Sequence, residues 1–445
     1  MNLIVELIKY MMILLIGVYT YYSFTVFRFK NKKHQSRIYA ILTVIIFILH
    51  FTGYFTLYFQ SQRKVILYLY GAEVLMFILI LVMYQVIYPK LSRLLLRNML
   101  MLLTIGFIIQ TRLSIDKAIR QVIIIAVSFA VCLIIPYFIR RLQSLKNHGW
   151  IYGGIGIVLL LIVLVLGTKN FGATNWLIIA GNSIQPSEFV KLLFVLSIAS
   201  LLGKSYDFKR ILMISAMAGV TVIILVLQRD LGGALIFFIT YIFMLYSATG
   251  RALYLFGGLG GGSLAAYVAY QLFGHVRVRV LAWKDPFSYI DKEGYQITQS
   301  LFAIGTGGWF GMGLNRGLPT DIPVVDSDFI FSAISEELGG VFAICIILIY
   351  ASCFVMFLNI ALEQEDSFYR LMSVGFSVMF AFQVILSIGG VIKFIPSTGV
   401  TLPLISIGGS SALSVILMFM MLQGVYINGK SKNRLPETGK AAGRE

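Results

Sequence analysis

Charge is scarce in this sequence: 12% of its 445 residues are Asp, Glu, Lys or Arg, about half the share of an average soluble domain. Cysteine and histidine are scarcer still, at three and four residues. Cys132, Cys345 and Cys353 lie inside apolar runs without metal-ligand spacing, which argues against a disulfide scaffold and against Cys/His metal sites. Apolar residues take the space that charge leaves, at 59%, with a mean hydropathy of +0.88. The solvent for most of the chain is therefore lipid. Runs at 38–59, 151–167 with its flanks, 210–227 and 341–358 have the length of a hydrocarbon core, and in lipid such runs must be helical. The first segment, 3–27, lacks a small-residue cleavage site and reads as a retained helix.

Hydropathy predicts about thirteen spans: 3–27, 38–60, 65–89, 98–111, 121–139, 150–168, 186–203, 209–227, 231–249, 252–274, 328–358, 368–392 and 403–427. Lys and Arg exceed Asp and Glu by 36 to 19, a surplus that in a soluble protein suggests a nucleic-acid partner. Here it sits in short loops, at 29–37, 90–97, 140–146, 204–210 and beyond 430, all on one face of the predicted topology. The positive-inside rule makes that face cytoplasmic and places the N-terminus outside. Acidic Glu363, Glu365 and Asp366 dissent on the inner face, but acids weigh little in this rule. Three substantial outer connections remain, at 168–185, 275–327 and 393–402, rich in Gly, Pro and polar residues. Chemistry is sought there. The polar tail after 428 holds Leu435-Pro-Glu-Thr-Gly439, a sorting-signal pattern without the apolar anchor it needs.

Ionisable residues at membrane depth are costly and are functional candidates. Glu188 and Lys191 share a helical face after Pro186, either as a packing ion pair or as a working pair. Arg229 and Asp230 occupy a short outer turn, with a solvated helix cap the favoured reading. Asp328 stands at the outer start of a helix running to Leu358, where capping and catalysis are both open. Glu336 and Glu337 lie about two turns deeper. Gly-rich clusters at 305–308, 311–313 and 406–411 admit phosphate approach or close helix packing, the second being commoner in membranes.

Eight stretches in order carry a resemblance. They are Gly172-Ala-Thr-Asn-Trp176, Gln185-Pro-Ser-Glu-Phe-Val-Lys191, Asp230-Leu-Gly232, Gly294-Tyr-Gln-Ile-Thr-Gln-Ser300, Ala303-Ile-Gly-Thr-Gly-Gly308, Asp328-Phe-Ile-Phe331, Glu336-Glu-Leu-Gly339, and Pro396-Ser-Thr-Gly-Val-Thr-Leu-Pro403 with 406–411. Together they resemble the SEDS family of cell-wall proteins, which includes RodA, FtsW and SpoVE. The resemblance implies an all-α polytopic fold: a ten-helix core over 98–427, three extra helices over 1–97, a large outer loop at 275–327 and a cytoplasmic tail over 428–445. It also implies an activity in the bacterial cytoplasmic membrane, the polymerisation of lipid II, an undecaprenyl-pyrophosphate-linked disaccharide peptide, on the outer face. Elongation, division and sporulation all remain open as its setting.

By motif, the resemblance makes Asp328 the catalytic carboxylate, taking the proton from the acceptor hydroxyl. It draws a substrate-binding set from Trp176, Gln185, Ser187, Glu188, Lys191, Asp230, Gln299, Ser300, Thr398, Ser406, Gly408, Gly409 and Ser410. The lipid pyrophosphate leaves, so cations or a divalent ion, magnesium or manganese, are expected to stabilise its charge. Lys191, Arg277, Arg279 and Lys393 are the candidates, with membrane anchoring the favoured reading for Arg277 and Arg279. The expected partner is a class B penicillin-binding protein, a transpeptidase, because the chain has no transpeptidase domain of its own. Departures from the family pattern are Asn175 for Arg, Arg229 for Pro and Ile407 for Tyr. A transporter of the lipid-linked precursor is the alternative, and a non-catalytic scaffold a third reading. The clustering of distinctive loops on one face and the absence of a visible inverted repeat favour the enzyme.

Overall fold

The computed structural model describes residues 2–29, 31–141, 143–170, 173–179, 181–204 and 206–432. Gly172 and the 435–439 motif lie outside the described residues. The apolar runs become helices because lipid offers an unpaired peptide group no partner. In chain order these are α1 (Asn2–Thr25), α2 (Lys32–Ser61), α3 (Lys64–Ile87), α4 (Arg93–Leu113), α5 (Ile115–Cys132), the short α6 (Ile135–Arg141) and α7 (Gly149–Leu166). After a three-stranded sheet come α8 (Pro186–Leu202), α9 (Phe208–Leu227), α10 (Leu231–Thr249), α11 (Ala252–Leu272), α12 (Gly274–Lys284) and α13 (Tyr295–Gly307). The chain finishes with α14 (Ile330–Leu362), α15 (Ser367–Val391) and α16 (Gly409–Lys432).

Twelve helices among the described residues are long and apolar enough to cross a membrane. The chain is a multi-pass membrane protein. The thirteenth expected span is α8, whose 17 residues rise only about 26 Å, against about 30 Å of hydrocarbon. It packs along α7 and α15. At the centre stands α4, buried on every side between α2, α5 and α14. It extends past the expected 98–111 at both ends, so the border expected at 97/98 falls inside it. Its polar residues are paired: Asn98 donates to Ser352 (3.1 Å) and accepts from Tyr19 (2.9 Å), and Gln110 donates to the Ile405 carbonyl (2.6 Å). At the periphery, α11 has no buried residue and touches α10 and α12.

Three expectations on irregular segments change. The 168–185 connection is an antiparallel sheet, β1 (Thr168–Asn170), β2 (Ala173–Ile179) and β3 (Asn182–Ile184), in order β1-β2-β3. The 275–327 connection holds two helices, α12 and α13. The last helix starts at 409 instead of 403 and runs past the expected tail border at 428.

A kink in α14 decides how that long connection packs. Gly339 has φ +88°, and a Cβ there would lie 2.4 Å from the Gly311 nitrogen, so glycine is required. The Met312 and Gly313 amides bond the carbonyls of Glu336 (2.9 Å) and Glu337 (2.8 Å) across this contact. The glycines at 311–313 therefore serve close backbone packing. Glu336 and Glu337 hold the same segment by their side chains: Leu318 N–H donates to Glu336 (2.9 Å), and Asn315 N–H (3.0 Å) and Arg112 (2.9 Å) donate to Glu337. The first two helices grip it from the other side. Lys9 donates to the Gly311 carbonyl (3.1 Å), Gln60 to that of Leu314 (3.0 Å), and Arg316 pairs with Glu6 (3.3 Å).

Candidate active site

The three connections meet in one cavity of about 230 Å³, with walls from the sheet, the first turn of α8, the α9–α10 turn, α12, the segment before α14 and the 398–411 segment. Its deep end is an ion pair. Lys191 donates to Glu188 (2.8 Å) and to Gln383 (3.1 Å), while Ser414 donates to the other Glu188 oxygen (2.8 Å). Both charged side chains are buried, and partners from α15 and α16 satisfy them, which is the condition for a buried pair to persist. Above them, Ser410 accepts from the Gln185 N–H (3.1 Å) and so ties the start of α8 to the start of α16.

Asp328 is not a helix cap. α14 begins two residues later, with Phe329 at the cap position and no side-chain bond. Instead the Asp328 carboxylate accepts from Ser327 (3.0 Å) and lines the cavity. The segment carrying it is held from outside: Ser406 donates to the Ser327 carbonyl, Ile407 N–H donates to the Asp326 carbonyl (2.9 Å), and Asp326 pairs with Lys117. This anchoring maintains Val324 at φ +59°, a strained conformation for a β-branched residue. Burial raises the Asp328 carboxyl above its ordinary range, while Ser327 and Arg279 pull it down.

A second cavity, of about 290 Å³, lies on the other side of Asp328 and also touches Arg279, Glu293 and Gln296. Arg279 donates to the Ser397 carbonyl (3.1 Å). Burial lowers its pKa, while Asp230 and Asp328 raise it. It is thus a cavity cation, and the membrane-anchor reading does not hold for it. Asp230 does cap α10, accepting from Gly233 N–H (2.8 Å), but the turn is not simply solvated. Desolvation raises its carboxyl, against the lowering effect of the Gly233 amide, Lys191 and Asn175.

Of the expected set, Trp176, Gln185, Ser187, Glu188, Lys191, Asp230, Thr398, Gly408, Ser410 and Asp328 line the first cavity. Gln299, Ser300, Ser406 and Gly409 line neither cavity. Ser300 is a buried pin, 2.7 Å from the Ser332 hydroxyl and donating to the Val391 carbonyl (2.8 Å), and Ser406 is the anchor of Ser327. Arg277 bonds the Tyr270 and Gln271 carbonyls and Lys393 sits outside both cavities. Asn175 and Arg229, singled out as departures from the family pattern, line the first cavity, and Arg229 also lines a third, shallow groove. Sequence order hides this: β2 reaches the α9–α10 turn, where Thr174 N–H donates to the Gln228 carbonyl (2.9 Å). Among the described residues no three acidic, His or Cys side chains come together.

Residues 90–431 match the Cell cycle protein family of FtsW, RodA and SpoVE. The peptidoglycan glycosyltransferase RodA of Mycobacterium tuberculosis is 34% identical over 351 residues, covering 73% of this chain and 74% of that one. The stage V sporulation protein E of Bacillus subtilis is 34% identical over 310 residues, covering 66% and 82%. Among solved structures, a chain of a peptidoglycan synthase complex that coordinates polymerization and crosslinking matches with TM-score 0.65 at 24% identity, covering 76% of this chain and 98% of that one. The RodA of Thermus thermophilus matches with TM-score 0.58 at 23% identity, covering 76% and 96%. With the fold, the ordered motifs and the family match in agreement, the chain belongs to the FtsW, RodA and SpoVE family, the SEDS proteins.

Proposed function

We infer that this protein is a peptidoglycan glycosyltransferase that polymerises lipid II on the outer face of the membrane. One observation carries the reading: a single carboxylate, Asp328, stands on the wall shared by two cavities, with Arg279 beside it. Glycosyl transfer needs two sugars and a base between them. The cation-bearing first cavity suits the donor with its diphosphate, and the second, with Glu293 and Gln296 on its wall, suits the acceptor sugar.

In that arrangement the acceptor hydroxyl attacks the donor anomeric carbon, and its proton passes to the Asp328 carboxylate. The new carbon–oxygen bond forms as the bond to the diphosphate breaks, and the electron pair leaves with the diphosphate. Arg279 on the cavity wall stabilises that charge. One base and no carboxylate nucleophile correspond to inversion. The Thr398 hydroxyl and the Asn175 side-chain oxygen are buried without a partner among the described residues, and both residues line the first cavity, ready for sugar or amide groups. For cross-linking, a class B penicillin-binding protein is the proposed partner.

Purified protein, with and without that partner, is tested for conversion of labelled lipid II to polymer. Polymer from the unaltered protein and none from Asp328→Ala is expected. Polymer from Asp328→Ala removes the base from the mechanism, and lipid II crossing the bilayer without polymer replaces the transferase with a transporter.

A further inference from the structure

Helix α9 ends in a two-bond motif: Asp230 N–H reaches the Leu225 carbonyl (2.9 Å) and Arg229 N–H that of Val226 (3.0 Å). The residue between helix and exit must be left-handed, and glycine is the usual occupant because it has no Cβ to clash. Here it is Arg229, at φ +64°. Nothing local offsets that cost. The side chain is exposed and makes no ion pair or hydrogen bond among the described residues. Lys191 is neutralised by Glu188, and Arg279 acts on both Asp230 and Asp328. Arg229 is therefore the cavity cation left without an anion, held where its backbone is strained, as happens when function requires the side chain.

Its position identifies the anion. Arg229 lines the first cavity and also the groove of about 390 Å³ whose other walls are Val226, Leu227, Leu272 and Phe273, with His275. Burial lowers the His275 pKa, and Arg229 and Arg279 add to the effect, so positive potential is concentrated here. A cation shared by the cavity and a groove that has Val226, Leu227, Leu272 and Phe273 among its walls fits a phosphate ester that carries a hydrocarbon chain.

We propose that Arg229 binds the diphosphate of a polyprenyl-linked ligand at the rim of the first cavity, with the start of the chain in the groove. The identity of this ligand rests on the glycosyltransferase reading above. The sequence position alone gives no sign of the role, since the turn reads as a solvated cap.

Arg229→Gly gives the test an opposed pair of readouts, because glycine removes the strain together with the cation. The full chain in zwitterionic lipid is titrated with polyprenyl diphosphate lacking any sugar. Arg229→Gly is expected to melt at a higher temperature and to bind the probe roughly tenfold more weakly. Arg229→Lys restores part of the binding while retaining the strain. Unchanged binding in Arg229→Gly overturns the proposal. So does a loss seen only with phosphatidylglycerol vesicles, which assigns Arg229 to bulk lipid headgroups. If the unaltered protein makes no polymer yet the binding difference persists, the transferase reading falls and the diphosphate site stands.

Discussion

Arg279 and Asp328 share one wall, since both line the first cavity and both line the second. Burial raises the Asp328 carboxyl, and Arg279 opposes the rise. A base works when deprotonated, so the acid limb of the rate profile lies above the ordinary carboxylate range, and Arg279→Gln moves it to still higher pH. Initial rates across pH for both proteins check this. A limb that stays in place shows that Arg279 does not act on the base.

The same raised pKa links activity to stability. A carboxyl raised in the folded state contributes stability that is full below its unfolded pKa and lost as pH rises through the folded one. Asp328→Asn cannot ionise. It is expected to melt above the unaltered protein at neutral pH, with the gap closing in acid, while polymerisation falls by about 10²–10⁴-fold. Melting curves at two pH values beside a rate assay are sufficient.

Glu188 and Lys191 are both buried, so removing one partner strands the other. Lys191→Met is expected to cost about 3–5 kcal/mol. The double variant Glu188→Gln with Lys191→Met recovers most of the loss, because no charge is left unpaired. Unfolding of the four proteins in a cycle measures the coupling, and simple additivity contradicts the pair.

At Gly339 a methyl group has no room against Gly311. Gly339→Ala is expected to cost upwards of about 3 kcal/mol, from the left-handed backbone and the clash together. Folded yield and melting temperature report it; a normal melting temperature shows that the kink relaxes.

Lys9 connects the N-terminal helices to the segment leading to Asp328. Lys9→Met removes its bond to the Gly311 carbonyl and leaves Glu6 with Arg316 alone, a loss of about 1–2 kcal/mol. Faster protease cleavage between 309 and 318 is expected, and cleavage at the original rate means that α1 does not brace the segment.

The spans were legible because lipid permits so few structures, and hydropathy found α8 even at 17 residues. The motif singles out Asp328, and the structure places it on a cavity wall. The sheet was not legible, although Gly181-Asn182 after the apolar run 176–180 is a turn signal. Ser300 and Ser406 sit in matching motifs but act as pins, a distinction that lies in which carbonyl each hydroxyl meets and not in spacing. Arg279 looked like a surface anchor because its partners are about 50 residues away on either side, at 230 and 328. Alternation along the chain cannot show such a convergence.

α8 falls about one turn short of a full span, and its first turns carry Glu188 and Lys191 on the wall of the first cavity. Extracting an isoprenoid from a bilayer costs about 0.8 kcal/mol per buried methylene. On the proposed reading, sugar and diphosphate occupy the first cavity while the chain remains in lipid. The bilayer then serves as a tether, and the encounter of enzyme with substrate is a two-dimensional search governed by surface density.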